Sequence, residues 1–247
     1  MQEELLTWIG GKTKQLKIGK NTYTVPIATT VGIYFNADNS TTTGATYTLK
    51  GQSASSNYSA AITKSTVGGQ SYVNGNGSSI LLLSSSFSSD NAVSIFAKVV
   101  PPTSATGSSY TYSDPVIASY IGGVDGDLSL GFGAAGVLLY TERDRTQKTI
   151  ATNDYATVIG LTNPIVVSTY VPLLPEENTY LLGESINGIQ SFIPAQNTSG
   201  VVRLQGILGA VSGGKLGHGA KLRSVLVLEG KMTAAQVNAI ASTFASD

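Results

Sequence analysis

The chain contains no cysteine, an absence that removes disulfide frameworks, thiolate metal sites and cysteine nucleophiles together. Histidine occurs once, as His218 between Gly217 and Gly219, which excludes a multi-histidine zinc centre. A Ser-His-Asp triad would have to run through that residue, and no Gly-x-Ser-x-Gly elbow supplies its nucleophile. His218 therefore reads as a loop residue. Charge is scarce and balanced: 15 Lys plus Arg offset 15 Asp plus Glu, and charged residues make up 12% of the chain. Neither nucleic acid nor an anionic membrane fits as partner, because both require a cationic face. No apolar run approaches the ~18 residues of a membrane span. The opening Met1-Gln-Glu-Glu-Leu-Leu-Thr-Trp8 carries acids where a secretory signal carries Lys or Arg, so the expectation is synthesis in a cytoplasm without a signal peptide.

What is abundant is small and polar. The 247 residues include 29 Ser, 27 Thr and 28 Gly, the composition of a chain of short strands and turns. At this length a fold buries roughly 70–75% of its unfolded surface, enough to hold a core without disulfide or metal. The first twenty residues read as a short amphipathic element around Leu5, Leu6, Trp8 and Ile9, then a basic stretch of Lys12, Lys14, Lys17 and Lys20. A solvated arm or attachment point is expected there. Strand patterns follow at Tyr23 to Val25, Val31 to Phe35 and Thr46 to Leu49, while the polar Gly51 to Ser59 and Asn74-Gly-Asn-Gly77 carry turn chemistry.

Further strands are expected at Ile80 to Leu83, Val93 to Val100, Pro115 to Ile121, Leu128 to Phe132, Val137 to Thr141, Ile165 to Val171, Thr179 to Ile186, Val201 to Leu208 and Leu222 to Leu228. Asn187-Gly188, before Ile189 to Ile193, suits a two-residue type I′ hairpin, whose turn residues both need positive φ. Many short strands without long helical periodicity indicate an antiparallel sandwich or jelly roll. One helix is well signalled at the C-terminus. Thr233 and Gln236 form a capping box, Met232 can staple onto Val237, and Val237, Ile240, Ala241 and Phe244 make one apolar stripe.

The order of these elements resembles a known family. Val93-Ser-Ile-Phe-Ala-Lys-Val-Val-Pro101 is similar to a characteristic strand of concanavalin A-like, laminin-G-like jelly rolls. Tyr180-Leu-Leu-Gly-Glu-Ser-Ile-Asn-Gly188 resembles their hairpin, and Ala220 to Ile240 resembles their final strand and helix. The resemblance covers Ser78 to Asp247 and implies an all-β, antiparallel concanavalin A-like jelly-roll sandwich with a short C-terminal helix. The expected organisation is an N-terminal segment, 1–77, serving as attachment arm plus strands of the sandwich, and a jelly-roll domain, 78–247. Cysteine-free chains rich in Ser, Thr, Gly and Asn with such a domain are similar to tail-fibre and capsid-decoration proteins of bacteriophages. That resemblance implies a virion surface protein that mediates host-glycan attachment or virion assembly, its partners being other virion subunits, in a symmetric homo-oligomer, or host cell-surface glycans, with no nucleic acid and no membrane insertion.

Hydrolases of this fold class place E-x-D-x-x-E on one strand, whereas here Glu142-Arg-Asp-Arg-Thr-Gln147 has Gln where the third acid belongs. Retaining and inverting hydrolysis both need two carboxyl groups across the scissile bond, so no catalytic residue is assigned, and a glycoside hydrolase is the alternative reading. Asp125 and Asp127, one residue apart after Gly122-Gly123, can clip a calcium ion. A Gly-Asp turn accounts for them equally well, and no other cofactor is expected. Gly131-Phe-Gly-Ala-Ala-Gly136 matches G-x-G-x-x-G in letters, yet no helix pattern follows it, so a tight strand connection is expected. Tyr110, Tyr112 and Tyr120 flank the Gly/Asp loop and, with Asp125 and Asp127, form the expected ligand-binding cluster, because tyrosine rings stack on sugar faces.

Overall fold

A computed structural model of the chain describes residues 12–103, 114–118, 128–132, 137–143, 146–151, 161–170, 181–186, 189–194, 202–209 and 214–247. Their elements are β1 (Thr13–Ile18), β2 (Asn21–Pro26), β3 (Thr30–Ser40), β4 (Gly44–Leu49), β5 (Gln52–Asn57), β6 (Thr63–Val67), β7 (Gln70–Asn74), β8 (Leu81–Ser89) and β9 (Val93–Val100). These are followed by β10 (Asp114–Ala118), β11 (Leu128–Phe132), β12 (Val137–Arg143), β13 (Thr146–Ala151), β14 (Ile165–Tyr170), β15 (Leu181–Ile186), β16 (Ile189–Pro194), β17 (Val202–Ile207), β18 (Lys221–Glu229) and one helix, α1 (Ala234–Phe244).

The architecture is an antiparallel β sandwich. One sheet has the order β13-β12-β11-β10-β17-β8. The other runs β16-β15-β14-β9-β18-β3-β4-β5, with the β6–β7 hairpin joined through β7 to β18. Strands from either side of residue 77 thus share one sheet. The main core lies between the sheets, where Ile33, Phe35, Tyr47, Val73, Ile95, Val99, Val225 and Val227 meet Leu81, Phe87, Ile117, Leu130, Phe132 and Leu204. Strands β9 and β18 are buried along almost their whole length because both of their faces are covered, which explains why they read as near-continuous apolar runs.

The second cover is built by α1 and the β1–β2 hairpin, which pack on the outer face of the ten-stranded sheet. Tyr23, Val25, Phe96, Tyr170, Leu226, Met232, Val237, Ile240 and Phe244 form this smaller core. Phe96 and Phe244 meet edge to face, centroids 6.5 Å apart at 61°, a favoured quadrupolar arrangement. Thr233 caps α1 as its sequence signalled: its side chain accepts from the Gln236 N–H, and the Gln236 side chain accepts from the Thr233 N–H at 2.9 Å.

Three segments depart from the sequence expectations. The basic stretch after Lys12 is not a solvated arm but strand β1, paired with β2 from Thr13 opposite Pro26 to Ile18 opposite Asn21. Gln15 and Lys17 face solvent while Leu16 and Ile18 turn inward, an alternation that the lysines mask. Polar Gly51 to Ser59 contains β5, which among the described residues is an edge strand paired with β4 alone, where little apolar content is needed. The β6–β7 hairpin turns through Gly68 and Gly69 at φ +57° and +79°, the positive values a two-residue hairpin loop needs. In the β15–β16 hairpin Ile186 stands opposite Ile189, and the joining Asn187 and Gly188 lie outside the described residues.

Candidate functional site

Two arrangements stand out, both on the β3 side of the ten-stranded sheet. The first is an open groove of about 360 Å³ over β4 and β5, lined by Asn39, Thr41, Thr43, Gly44, Ala45, Thr46, Ser55, Ser56 and Asn57. Ala45 and Tyr47 turn into the core, so the alternation of the pleat sends Thr46 the other way. Register places Thr46 opposite Ser55 and Gly44 opposite Asn57. A Cβ at Gly44 would come within 2.7 Å of the Ser56 carbonyl oxygen and 2.9 Å of Asn57 Oδ1, so only glycine permits this approach.

The polar groups of the groove divide into used and available. Thr41 Oγ1 accepts from the Thr43 and Gly44 N–H groups at 3.3 and 3.1 Å, which holds the β3–β4 turn. Ser56 Oγ lies 3.1 Å from the Tyr47 hydroxyl. The side chains of Asn39, Thr46, Ser55 and Asn57 are exposed and form no hydrogen bond with the protein. The available chemistry is two amides and two hydroxyls, which together offer donors and acceptors at once. No acid, base or aromatic ring lines the groove.

The second arrangement is a buried ionic cluster under α1, built on Lys98 and Arg223. Arg223 is 2% exposed, and its guanidinium donates to both carboxylate oxygens of Asp38 at 2.6 Å and to the Ser71 carbonyl at 3.1 Å. Lys98 Nζ donates to Gln70 Oε1 at 2.7 Å and to the carbonyls of Ala245 and Asp247 at 2.7 and 2.9 Å. The buried Asp247 carboxylate accepts from the Tyr34 hydroxyl at 2.9 Å and from the Asn36 amide at 2.9 Å. The Arg223 hydrogen bonds hold the Asp38 carboxyl below its ordinary range, against a smaller opposing effect of burial. Burial works against the Arg223 charge, yet the Asp38 bonds and charge, with Asp247, keep it firmly protonated. Burial, and then the neighbouring Arg223 charge, lower Lys98. Every cation here has a partner, so the cluster is a structural clasp joining β3, β7, β9, β18 and the end of α1.

The residues singled out from sequence fall elsewhere. Tyr110, Tyr112, Tyr120, Asp125 and Asp127 all lie outside the described residues, as does Asp144. Glu142 stands on β12 opposite Ser129 and Gln147. Gly131 and Phe132 end β11, and the rest of that glycine motif lies outside the described residues. His218 sits in an exposed turn at φ +54°, and its carbonyl accepts from the Thr103 N–H at 2.6 Å and hydroxyl at 2.7 Å. Among the described residues no three His, Asp or Glu side chains gather as a metal centre would require. Sequence reasoning missed both arrangements. Lys98 inside the run Val93 to Val100, and Arg223 beside Leu222, were the available signals, because a charge in a buried strand requires a partner.

No protein-family model matches the chain, and no curated protein matches it in sequence. Solved structures do. Trypanosoma rangeli sialidase in complex with sialic acid superposes with a TM-score of 0.51 at 10% identity, over 97% of this chain and 37% of the sialidase. The botulinum neurotoxin serotype G binding domain superposes with a TM-score of 0.51 at 10% identity, over 86% of this chain and 50% of that one. The chain thus spans half or less of these structures. At such identity the likeness establishes the fold, an antiparallel concanavalin A-like sandwich finished by a short helix.

Proposed function

We propose that the chain is a non-catalytic carbohydrate-binding module on a virion surface, attaching to host glycans through the groove over β4 and β5. The observation that carries this reading is the groove itself: uncharged, open, and lined by two amides and two hydroxyls with no protein partner. Such groups match the vicinal hydroxyls of a sugar, each of which both donates and accepts. The lectin-like fold supports the reading by analogy. The virion setting rests on compositional analogy: the cysteine-free, Ser/Thr/Gly/Asn-rich chain carrying a jelly-roll domain is similar to phage tail-fibre and other virion surface proteins. Binding is favoured over hydrolysis because no carboxyl group lines the groove, whereas glycosidic cleavage needs two. With neither a ring to stack on a sugar nor a charge, each site is weak, and several copies in a symmetric assembly act together through effective concentration.

A glycan array probed with the assembled protein tests this reading, with Ser55→Tyr and Asn57→Ala as controls. Both side chains are exposed and make no hydrogen bond, so the fold should be kept. Loss of one hydrogen bond worth about 1 kcal/mol weakens each site about fivefold, and Ser55→Tyr blocks the groove outright. Binding that is unaltered in both variants, or absent from the whole array, overturns the assignment.

A further inference from the structure

We propose that the site takes an extended oligosaccharide rather than a single terminal sugar, the chain crossing from the groove over β5 onto a serine shelf on β8. This rests on the carbohydrate-binding reading and adds to it the length of ligand that the site holds.

The two sheets meet beside the groove. Just past β5, Tyr58 pairs with Leu81 in an antiparallel bridge, and the Ser59 N–H donates to the Ile80 carbonyl at 2.8 Å. Strand β8 therefore starts alongside the end of β5. Its pairing with β17 then slips: Leu82 stands opposite Gly206 and Phe87 opposite Leu204, so Leu83 to Ser86 bulge out against the single residue Gln205. Such a bulge re-aims side chains. The alternation of a regular strand is broken, and Ser84, Ser85 and Ser86 are exposed in succession between the buried Leu83 and Phe87. Gln205 Nε2 donates to Ser86 Oγ at 3.0 Å, which fixes the far end of this shelf.

A hydroxyl relay joins the shelf to the groove. The Tyr47 hydroxyl lies 3.1 Å from Oγ of Ser56, which lines the groove, and 3.1 Å from Ser84 Oγ, so one phenol oxygen separates the two serines. Tyr47 has a single hydroxyl proton, and it goes to Ser84 Oγ, while its oxygen accepts from the Ser84 N–H at 2.6 Å. The contact with Ser56 is then made by the Ser56 proton. That leaves Ser56 Oγ as an acceptor and Ser84 Oγ as a donor for a ligand. A sugar hydroxyl both donates and accepts, so neighbouring units of one chain satisfy the pair, one donating to Ser56 in the groove and the next accepting from Ser84 on the shelf. A lone sugar in the groove leaves the shelf hydroxyls to water.

Solution calorimetry of the full chain with cello-, malto-, manno- and chito-oligosaccharides, each as di- and tetrasaccharide, provides the test. In the series that binds most tightly, the tetrasaccharide should bind about tenfold or more tightly than the disaccharide, beyond the roughly threefold that overlapping registers on a longer chain supply by statistics alone. Ser84→Ala combined with Ser85→Ala removes shelf hydroxyls and should bring the ratio down to that statistical value. Ser55→Tyr, in the groove, should abolish binding of both lengths. A merely statistical ratio in the unmodified protein, or a tenfold ratio that survives in the double variant, overturns this inference and leaves the carbohydrate-binding reading standing. Failure to bind either length in every series, with the fold intact by circular dichroism, overturns the carbohydrate-binding reading and this inference with it.

Discussion

Raising the pH should unfold this protein through its buried tyrosines. Tyr23, Tyr58, Tyr72 and Tyr170 are each less than a tenth exposed, and burial pushes each hydroxyl from an ordinary 10 up to about 12. Tyr34 moves further in the same direction through burial and the adjacent Asp247. The folded state therefore keeps its phenolic protons while the unfolded chain, titrating near pH 10, has begun to lose them. Stability is fully present below about pH 10 and falls as the pH rises towards 12. Each proton held only by the folded state contributes a slope of about 1.4 kcal/mol per pH unit, so the four tyrosines together approach about 5 kcal/mol per pH unit. Against a total stability of ~5–15 kcal/mol for a domain, the sandwich should collapse between about pH 11 and 12. Tyrosinate absorbance and far-ultraviolet circular dichroism, followed together, provide the assay. Tyrosinate absorbance from Tyr23, Tyr58, Tyr72 and Tyr170 should appear only as the sheet signal disappears. Tyr72→Phe is the control. The Tyr72 hydroxyl is buried without a protein partner, so its removal should leave neutral-pH stability unchanged or raise it by about 1 kcal/mol, and the alkaline slope should shrink by one proton. Complete tyrosine ionisation near pH 10 with the sheet signal intact would refute the reasoning.

Further expectations follow from the clasp, the N-terminal hairpin and the helix cap. Asp38→Asn should lower urea stability at pH 7 by about 1 kcal/mol, discounted because water reaches that carboxylate. Arg223 depresses the Asp38 pKa, so its contribution is present above about pH 4 and lost as the pH falls through the lower folded-state value. Variant and parent should therefore converge in acid, and a gap that stays constant with pH contradicts the ion pair. Gly19 turns between β1 and β2 at φ +58°, where an added Cβ would collide with the Tyr34 hydroxyl. Gly19→Ala should cost about 2 kcal/mol or more by thermal melting, whereas Gly68→Ala, at φ +57° with open space around it, should cost only the ~1–2 kcal/mol of the left-handed backbone. Thr233→Ala should cost about 1 kcal/mol through loss of the helix cap, and equal chemical-denaturation midpoints would show that the capping box carries no weight.

Much of the fold follows from local chemistry that can be read along the chain. The strands at Val93 to Val100 and Leu222 to Leu228 announce themselves by near-continuous apolar runs, and α1 by its cap and stripe, because burial on both faces, or on one helical stripe, demands those patterns. Strand β5 and the β6–β7 hairpin lack such a signature, since a polar edge strand and a glycine turn take their order from the strands beside them rather than from their own residues. The groove and the clasp belong wholly to the tertiary structure. Asn39 and Asn57 are eighteen positions apart in the sequence, and Asp38 and Arg223 far more. Only the antiparallel pairing of β3, β4 and β5, with β18 beside β3, brings four unbonded amides and hydroxyls together and gives each buried cation an acid or carbonyl to meet. Composition and period set which residues are strand and which are core; register and strand order decided which polar groups are paired and which remain open to a ligand.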